Sequence, residues 1–122
     1  DLADVVFIYG SRDDIPFILS QSTIGVLTSE SEGLPIAILE YGLHKLPVIS
    51  TRVGEIPTVI TDKEGVLISS NDCCNFVLSL RKMIDDEMMR LTFTHNLHDK
   101  IIQNYSEEAI IQLYLKCINE NE

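Results

Sequence analysis

The sequence lacks the two segments that would direct a chain into or across a membrane. No apolar run approaches about 18 residues, so no transmembrane helix is predicted. The first residues are not a basic segment followed by an apolar one, so no secretory signal peptide is visible. The chain also begins at Asp1 rather than at a methionine, from which we expect a fragment of a longer protein.

Positive charge is scarce, because 9 Lys and Arg residues stand against 19 Asp and Glu residues, for a net charge of −10. This balance argues against a nucleic-acid partner and against a basic membrane-binding patch, since both would place the acidic chain against negative charge. It also constrains any phosphate site. The phosphate would have to be held by backbone N–H groups and by cations supplied from elsewhere.

Cysteine is scarce as well, and an odd number of three fits a reducing compartment such as the cytoplasm. Cys73 and Cys74 are adjacent and lack a metal-ligand spacing, so we expect them and Cys117 to be small residues in or near the core. His95 and His98 could face one metal ion, but no third ligand lies nearby in the sequence. We therefore predict no metal site.

The stretch from Val26 to Ile60 organises the rest of the chain. A β-rich run, Ile24 to Thr28, ends in a polar corner; an apolar helix-like run, Ile36 to Leu43, and a second strand, Pro47 to Thr51, follow. Strand, helix and strand in this order form the βαβ unit of a parallel sheet. A length of 122 residues and a hydrophobic content of 45% fit one packed domain, residues 1–122, of the α/β class.

The start of the predicted helix offers a binding site. Pro35 suits the first helical position, and Gly33 lets the backbone approach a ligand closely. The free N–H groups there and the positive end of the helix dipole favour an anion such as phosphate. Glu32 and Glu40 bracket the first turns, and a carboxylate accepts paired hydrogen bonds from vicinal hydroxyls of a ribose or sugar. Alternatively, Glu32 is an acid favoured by the dipole and Glu40 is a solvated surface residue.

Outside this stretch, the pattern predicts a buried parallel strand from Val5 to Tyr9, followed by the loop Gly10-Ser11-Arg12 at the same sheet edge. Asp13 is placed to cap the next helix. Arg52 is either a phosphate-binding cation or one half of a surface salt bridge, and we expect the salt bridge. The next strand is predicted at Val66–Ile68. A helix capped by Asn71-Asp72 follows at Cys73–Ile84, a second helix at Glu87–Gln103, and a last helix, opened by Ser106, after Tyr105.

Several motifs in a fixed order resemble one protein family. They are Ser31-Glu32-Gly33-Leu34-Pro35, the Glu32 to Glu40 spacing, Leu46-Pro47-Val48-Ile49 and Val53-Gly54-Glu55-Ile56-Pro57. This order resembles the carboxyl-terminal nucleotide-binding domain of retaining GT-B glycosyltransferases of family 4, the "group 1" type. The resemblance covers essentially the whole chain and implies a Rossmann-like parallel sheet flanked by helices, as part of the donor-binding half of the enzyme.

The resemblance also implies roles for particular residues. Glu40 would bind the ribose hydroxyls of the donor. Glu32 would contact the donor sugar and is the residue assigned a catalytic role. The diphosphate would be held by the backbone around the helix start, at Gly33, Leu34, Pro35 and Ile36. The base would lie by a second loop, formed by Gly10, Ser11 and Arg12. The substrate would be a UDP- or GDP-sugar, with no cofactor and no bound metal.

The implied partners are the nucleotide-sugar donor and a glycan or lipid-linked acceptor held by a separate amino-terminal domain. The resemblance implies a cytoplasmic enzyme that could contact the inner face of the membrane peripherally. The family's Arg and Lys that hold the diphosphate lie upstream of the matched region, so we expect this chain alone to be inactive. Lys45 departs from the usual glycine, from which we expect the helix to end without a left-handed cap.

Two other functions stay open from the residues alone. The chain could be a non-catalytic binding or assembly module, with its helix surface as the interface. It could also belong to another GT-B enzyme, such as a nucleotide-sugar epimerase or a phosphorylase. The ordered glutamates and the Val53-Gly54 motif favour the transferase.

Overall fold

The computed structural model describes residues 2–119, with side chains described as far as residue 116. Within that range the chain forms a three-stranded parallel sheet flanked by helices, which confirms the predicted fold class. The strands are β1 (Gly25–Leu27), β2 (Val48–Thr51) and β3 (Gly65–Ile68). The helices are α1 (Ile15–Ser20), α2 (Ile36–Leu43), α3 (Ile56–Val59), α4 (Cys73–Asp85), α5 (Glu87–Tyr105) and α6 (Glu107–Asn119).

The sheet has the order β1-β2-β3, and its strands start level with one another. Gly25 pairs with Val48, and Val48 pairs with Gly65. All four residues of the central strand β2 are buried, as expected for a parallel strand covered on both faces. Because the three strands run in the same direction, the loops that follow them leave from one edge of the sheet.

Helix α2 packs between the sheet and α5, and a glycine permits the close approach of the two helices. A Cβ atom added to Gly42 would collide with Ile101 and lie 3.0 Å from Leu97, both on α5. His98, also on α5, donates from Nδ1 to the Gly42 carbonyl at 3.0 Å. These contacts join the main core cluster, which consists of Ile38, Val48, Ile56, Val59, Ile60, Leu97 and Ile101.

Helix α2 ends in a left-handed cap, so the expectation from Lys45 is wrong. Lys45 has a φ of 57°. Its N–H donates to the Gly42 carbonyl at 3.1 Å, and the N–H of Leu46 donates to the Tyr41 carbonyl at 2.9 Å. This pair of bonds is the Schellman motif that usually contains glycine. A lysine is tolerated because the turn buries Leu46, and that burial offsets the strain of the left-handed backbone.

The segment from Val5 to Tyr9 is not the buried strand that its apolar sequence predicts. It has no ladder partner among the described residues, and each of its side chains is more than half exposed. β1 is an edge strand that pairs with β2 alone. β1 thus leaves one edge unpaired, but no backbone hydrogen bond joins Val5–Tyr9 to that edge in the described residues.

Two of the predicted helix caps are present in the structure, and a third is not. Asp72 accepts a backbone N–H at the start of α4 at 3.0 Å, and Ser106 does so at the start of α6 at 3.2 Å. Both caps were predicted. Asp13, however, does not cap α1. The N-cap position is Asp14, whose carboxylate binds the Arg12 guanidinium at 2.7 Å instead of a helix N–H.

The cysteines were predicted to lie in or near the core, and that prediction is wrong for the two adjacent ones. Cys73 and Cys74 are both exposed, because they occupy the first turn of α4, where the helix meets solvent. The buried side of α4 is formed later in the helix, at Met83. The side chain of Cys117 lies outside the described residues.

A buried carboxylate, Glu64, ties the turn before β3 to α5. It accepts hydrogen bonds from the Thr61 N–H at 2.7 Å, from Thr61 Oγ1 at 2.6 Å and from Lys100 Nζ at 3.3 Å. Burial alone raises the pKa of the Glu64 carboxyl. The hydrogen bonds from Thr61 and the charge of Lys100 together outweigh burial and hold that pKa below its usual value.

The last helix leaves its apolar residues uncovered within the described part of the chain. Ile110, Ile111, Leu113, Tyr114 and Leu115 are all exposed. None of the helices in residues 2–119 combines the length and the apolarity needed to cross a lipid bilayer.

We expect Lys45→Gly to stabilise the protein, because glycine adopts the left-handed conformation without the steric cost that Lys45 bears. The free energy of unfolding should rise by about 1 kcal/mol, measured by urea unfolding. Lys45→Ala is the matched control, since it removes the same side chain but keeps Cβ. Equal unfolding midpoints for the two variants would contradict the proposed strain.

Glu64 should give folding stability a pH dependence. A carboxyl whose pKa is lowered by folding binds fewer protons folded than unfolded. Its stabilisation is therefore present above the usual glutamate pKa and is lost as pH falls through the folded pKa. We expect Glu64→Gln to lower the free energy of unfolding by about 1–3 kcal/mol at neutral pH, with a shrinking effect as pH is lowered.

The measurement is urea unfolding of both proteins between neutral pH and about pH 3. Asp62→Asn is the control, because Asp62 is an exposed carboxylate in the same turn. A Glu64→Gln effect that stays constant across this pH range would rule out the proposed linkage.

Candidate functional site

Hydroxyl groups at the end of β2 bind the loop that follows β1. Ser50 Oγ donates to the Leu27 carbonyl at 3.0 Å, and Thr51 Oγ1 donates to the Ser29 carbonyl at 2.6 Å. The polar corner after β1 is therefore fixed to the neighbouring strand by the Thr51–Ser29 hydrogen bond, beyond the last ladder pair of Leu27 and Ser50. This corner leads directly to Glu32 and the start of α2.

Glu32 is half-buried, and its carboxylate is held from its own loop. Ser29 Oγ donates to Glu32 Oε1 at 2.5 Å. Within the described residues, no donor reaches the other carboxylate oxygen, Oε2. One oxygen is thus engaged by the protein, while the other has its lone pairs free for a ligand hydroxyl.

The loop after β2 reaches the same point through Gly54. Gly54 has a φ of 51°. A Cβ atom added there would overlap the backbone carbonyl of Glu32. This close backbone approach joins the two sequence motifs that contain Glu32 and Gly54.

The start of α2 lies at the surface, and its backbone is partly available to a ligand. Helix α2 begins at Ile36, one residue after the predicted start, and Pro35 is its N-cap residue. Gly33 and Leu34 are exposed, and their N–H groups donate to no acceptor in the described part of the chain. The N–H of Ile36 is already used, because it donates to the Leu34 carbonyl at 2.9 Å. Two of the three predicted amides are therefore open.

Glu40 lies on α2, exposed to solvent. No donor among the described residues binds its carboxylate. Its neighbour Tyr41 anchors the helix on β1, with its hydroxyl donating to the Val26 carbonyl at 3.3 Å. Burial raises the pKa of the Tyr41 phenol, and the nearby charge of Glu40 adds to the effect. Glu32 lies in the loop before α2 and Glu40 on α2 itself, and the described residues include no hydrogen-bond donor that the two acids share.

The predicted base-binding loop is exposed and held by an internal ion pair. Gly10 has a φ of 66°, and Gly10, Ser11 and Arg12 all face solvent. The Arg12 guanidinium forms two hydrogen bonds with Asp14, at 2.8 and 2.7 Å, and stands over the Tyr9 ring. This pairing lowers the pKa of the Asp14 carboxyl. No hydrogen bond or ion pair links this loop to Glu32 or Glu40 in the described residues.

Arg52 does not make the surface salt bridge expected of it. It follows β2 directly and is exposed. Within the described residues its side chain has no carboxylate partner. Its positive charge, next to the Val53-Gly54 turn, is therefore uncommitted.

A pocket of about 280 Å³ lies at the carboxyl edge of the sheet, on the side of α4. No pocket is predicted here from the sequence; the residues that line it are Thr28, Thr51, Ile68, Ser69, Asn71, Asp72, Cys73 and Phe76. The hydrogen bonds of Ser29 and Thr51 at this edge are not predicted either. The Thr28-Ser29 and Ser50-Thr51 pairs show where hydroxyl groups lie but not which groups they bind.

The histidines considered as metal ligands have other partners. His95 contacts Asp99 at 3.3 Å, and His98 binds the Gly42 carbonyl. No group of three or more His, Cys, Asp or Glu side chains suited to a metal ion occurs among the described residues.

The sequence model of the family described as "Glycosyl transferases group 1" matches residues 1–117. The chain belongs to this family. One group 1 relative is the UDP-Gal:alpha-D-GlcNAc-diphosphoundecaprenol alpha-1,3-galactosyltransferase of Escherichia coli. It is 34% identical over 118 residues, which cover 93% of this chain and 30% of that protein. The present group 1 chain thus spans less than a third of this relative's length.

Solved structures agree with the group 1 assignment. The C-terminal domain of a group 1 glycosyl transferase, LpcC from Francisella tularensis, has a TM-score of 0.74 and 25% identity, covering 84% of this chain and 53% of that one. An S. aureus TarM mutant, solved with Fondaparinux, alpha-GlcNAc-glycerol and UDP, has a TM-score of 0.82 and 23% identity. That match covers 94% of this chain and 24% of TarM, and it supports the fold.

We expect Gly54→Ala to disturb the site and to destabilise the protein by more than about 1 kcal/mol, because alanine fits neither the positive φ nor the contact with the Glu32 carbonyl. Urea unfolding measures the effect. Gly33→Ala is the matched control from the same site, since a Cβ there meets no atom within 4 Å. Equal losses in the two variants would refute a special role for Gly54.

Proposed function

We propose that this chain is the donor-binding portion of a retaining glycosyltransferase. The intact enzyme would transfer a sugar from a nucleotide-diphosphate sugar to a glycan or lipid-linked acceptor. The substrate is the UDP- or GDP-sugar itself, and the proposed reaction uses no resident cofactor. The other half of the active site would come from a domain that holds the acceptor.

One observation carries this proposal: the backbone contact between Gly54 and Glu32 beside the open start of α2. It puts a half-buried carboxylate next to the uncommitted amides of Gly33 and Leu34, at the edge where parallel sheets bind ligands. A carboxylate beside amides that favour an anion suits a ligand with both hydroxyls and phosphates. A nucleotide-diphosphate sugar has both.

Each part of the proposed donor has a matching group. Glu32 would accept hydroxyl hydrogens of the donor sugar through its free Oε2. Glu40, exposed and without a partner, would accept the two ribose hydroxyls. The amides of Gly33 and Leu34, at the positive end of α2, would bind the diphosphate and stabilise it as it leaves with added negative charge. The acceptor would attack from the face on which the diphosphate departs, so the anomeric configuration is retained.

The base would lie against the loop of Gly10, Ser11 and Arg12. This part of the proposal rests on the family pattern and on the exposure of the loop. A pocket of about 380 Å³ lined by Ser11, Arg12, Asp13 and Asp14 offers space there. The Arg12–Asp14 pair fixes the shape of this pocket, because each side chain is held by the other.

Two amides do not neutralise a diphosphate, and the chain has a net charge of −10. Arg52 is the uncommitted cation next to the Gly54 turn, and we assign it a supporting role toward the phosphates. The remaining positive charge would come from residues outside this chain. The fragment alone should therefore bind the donor weakly and transfer nothing.

The acceptor is proposed from the relatives. The E. coli relative is named for a diphosphoundecaprenol-linked acceptor, which is a lipid-linked sugar. We propose a similar class of acceptor, used in the synthesis of polysaccharide or cell-surface glycans. The reaction would then take place in the cytoplasm, at the inner face of the membrane.

We expect Glu40→Ala in the full-length protein to weaken binding of the nucleotide-sugar by about 10- to 100-fold, because hydrogen bonds to a charged group contribute about 1.5–3 kcal/mol. Isothermal titration calorimetry with UDP- and GDP-sugars measures the affinity. The nucleotide alone should lose the same factor, since Glu40 is assigned to the ribose.

Glu55→Ala is the matched control, because Glu55 is also an exposed glutamate and lies at the start of α3, after the Gly54 turn. It should bind the donor as the unaltered protein does. Equal affinities of the two variants would remove Glu40 from the site.

A further inference from the structure

The carboxylate of Glu32 is oriented by a neighbouring hydroxyl. Ser29 Oγ donates to Glu32 Oε1 at 2.5 Å, in a half-buried setting. A short hydrogen bond to a charged acceptor is stronger than one between neutral groups and fixes the direction of the carboxylate plane. A free glutamate on a loop would instead sample several rotamers and lose their entropy when a ligand binds.

Ser29 is itself held in place by the sheet. Thr51 Oγ1, at the end of β2, donates to the Ser29 carbonyl at 2.6 Å. Thr51 is buried and Ser29 is half-buried, so this bond is partly shielded from water. The position of the Ser29 hydroxyl is therefore set by the central strand, and the strand's position is passed on to the Glu32 side chain.

The backbone of Glu32 is fixed independently, from the opposite side. Gly54 packs against its carbonyl so closely that no side chain fits between them. With the backbone fixed by Gly54 and Oε1 fixed by Ser29, the remaining oxygen Oε2 is free in the described structure and has a defined direction. A group held in this way before ligand binding is preorganised.

We propose that Ser29 is a positioning residue that aims the Glu32 carboxylate at a hydroxyl of the donor sugar, with Thr51 holding Ser29. This inference rests on the proposed function, in which Glu32 contacts the sugar. It adds a residue that touches neither sugar nor phosphate and acts through Glu32 alone. Its consequence is that Ser29 affects recognition of the sugar and has no effect on recognition of the nucleotide.

A merely structural role makes a different prediction. If the Ser29–Glu32 bond only stabilises the turn, its loss would lower stability and weaken binding of nucleotide and nucleotide-sugar alike. The ratio of the two affinities therefore separates the alternatives. We call this ratio, the Kd of the nucleotide divided by that of the nucleotide-sugar, the sugar increment.

The experiment is a double-mutant cycle in the full-length protein, with Ser29→Ala, Glu32→Ala and the double variant. Calorimetry gives Kd for UDP and UDP-galactose, with GDP and GDP-mannose in parallel. We expect Ser29→Ala to reduce the sugar increment about 5-fold and Glu32→Ala to reduce it about 10-fold or more. Adding Ser29→Ala to Glu32→Ala should change nothing further, and Ser29→Thr, which keeps the hydroxyl, should restore the increment.

Ser31→Ala is the matched control, because Ser31 is exposed in the same loop and its side chain donates to no acceptor in the described residues. It should leave both affinities unchanged. If Glu32→Ala changes the increment but Ser29→Ala does not, or if the two effects add, the positioning role is refuted while the proposed function stands. If Glu32→Ala leaves the increment unchanged, the assignment of Glu32 to the sugar fails, and the positioning role fails with it.

Discussion

The contact between Gly54 and the carbonyl of Glu32 sets the spacing of the two loops that carry the candidate site. A Cβ atom at Gly54 would overlap that carbonyl, and the positive φ there adds a further steric cost for any other residue. The hydrogen bond from Thr51 to Ser29 depends on the same spacing, because hydrogen bonds weaken steeply when their geometry is disturbed. The orientation of the Glu32 carboxylate follows in turn from Ser29. The geometry of the candidate site is therefore set by the loops that follow the neighbouring strands β1 and β2.

Charge is distributed so that no cation is paired with Glu32 or Glu40 in the described residues. Arg12 and Lys100 are occupied by Asp14 and Glu64, while Glu32 is held by a hydroxyl rather than by a cation. The difference matters chemically. A lysine or arginine beside Glu32 would compete with a ligand for both carboxylate oxygens, whereas a hydroxyl occupies one lone pair and leaves the second oxygen open. A neutral donor such as the Ser29 hydroxyl can thus hold Glu32 without using one of the chain's few cations.

The sequence predicts well where local pattern and burial agree. The three strands, helix α2 and the caps at Asp72 and Ser106 lie at or within about two residues of their predicted places, because each has a local signal. Val5–Tyr9 was wrong because apolarity indicates a strand but not whether a partner strand is present. The prediction at Lys45 was wrong because the preference for glycine in a left-handed cap was outweighed by the burial of Leu46. The bond between Thr51 and Ser29 joins residues 22 positions apart, so no local pattern could indicate it.

The orientation of α2 depends finally on α5. Helix α2 has eight residues, too few to be stable alone, so tertiary contacts must set its direction. On one side the ring of Tyr41 lies over Gly25 of β1; on the other Gly42 lies against Ile101, with His98 bound to the Gly42 carbonyl. Small residues on both sides let the neighbours approach closely and leave α2 little freedom to rotate. The direction of α2, and with it the place of the exposed Glu40, is therefore set by packing against β1 and α5.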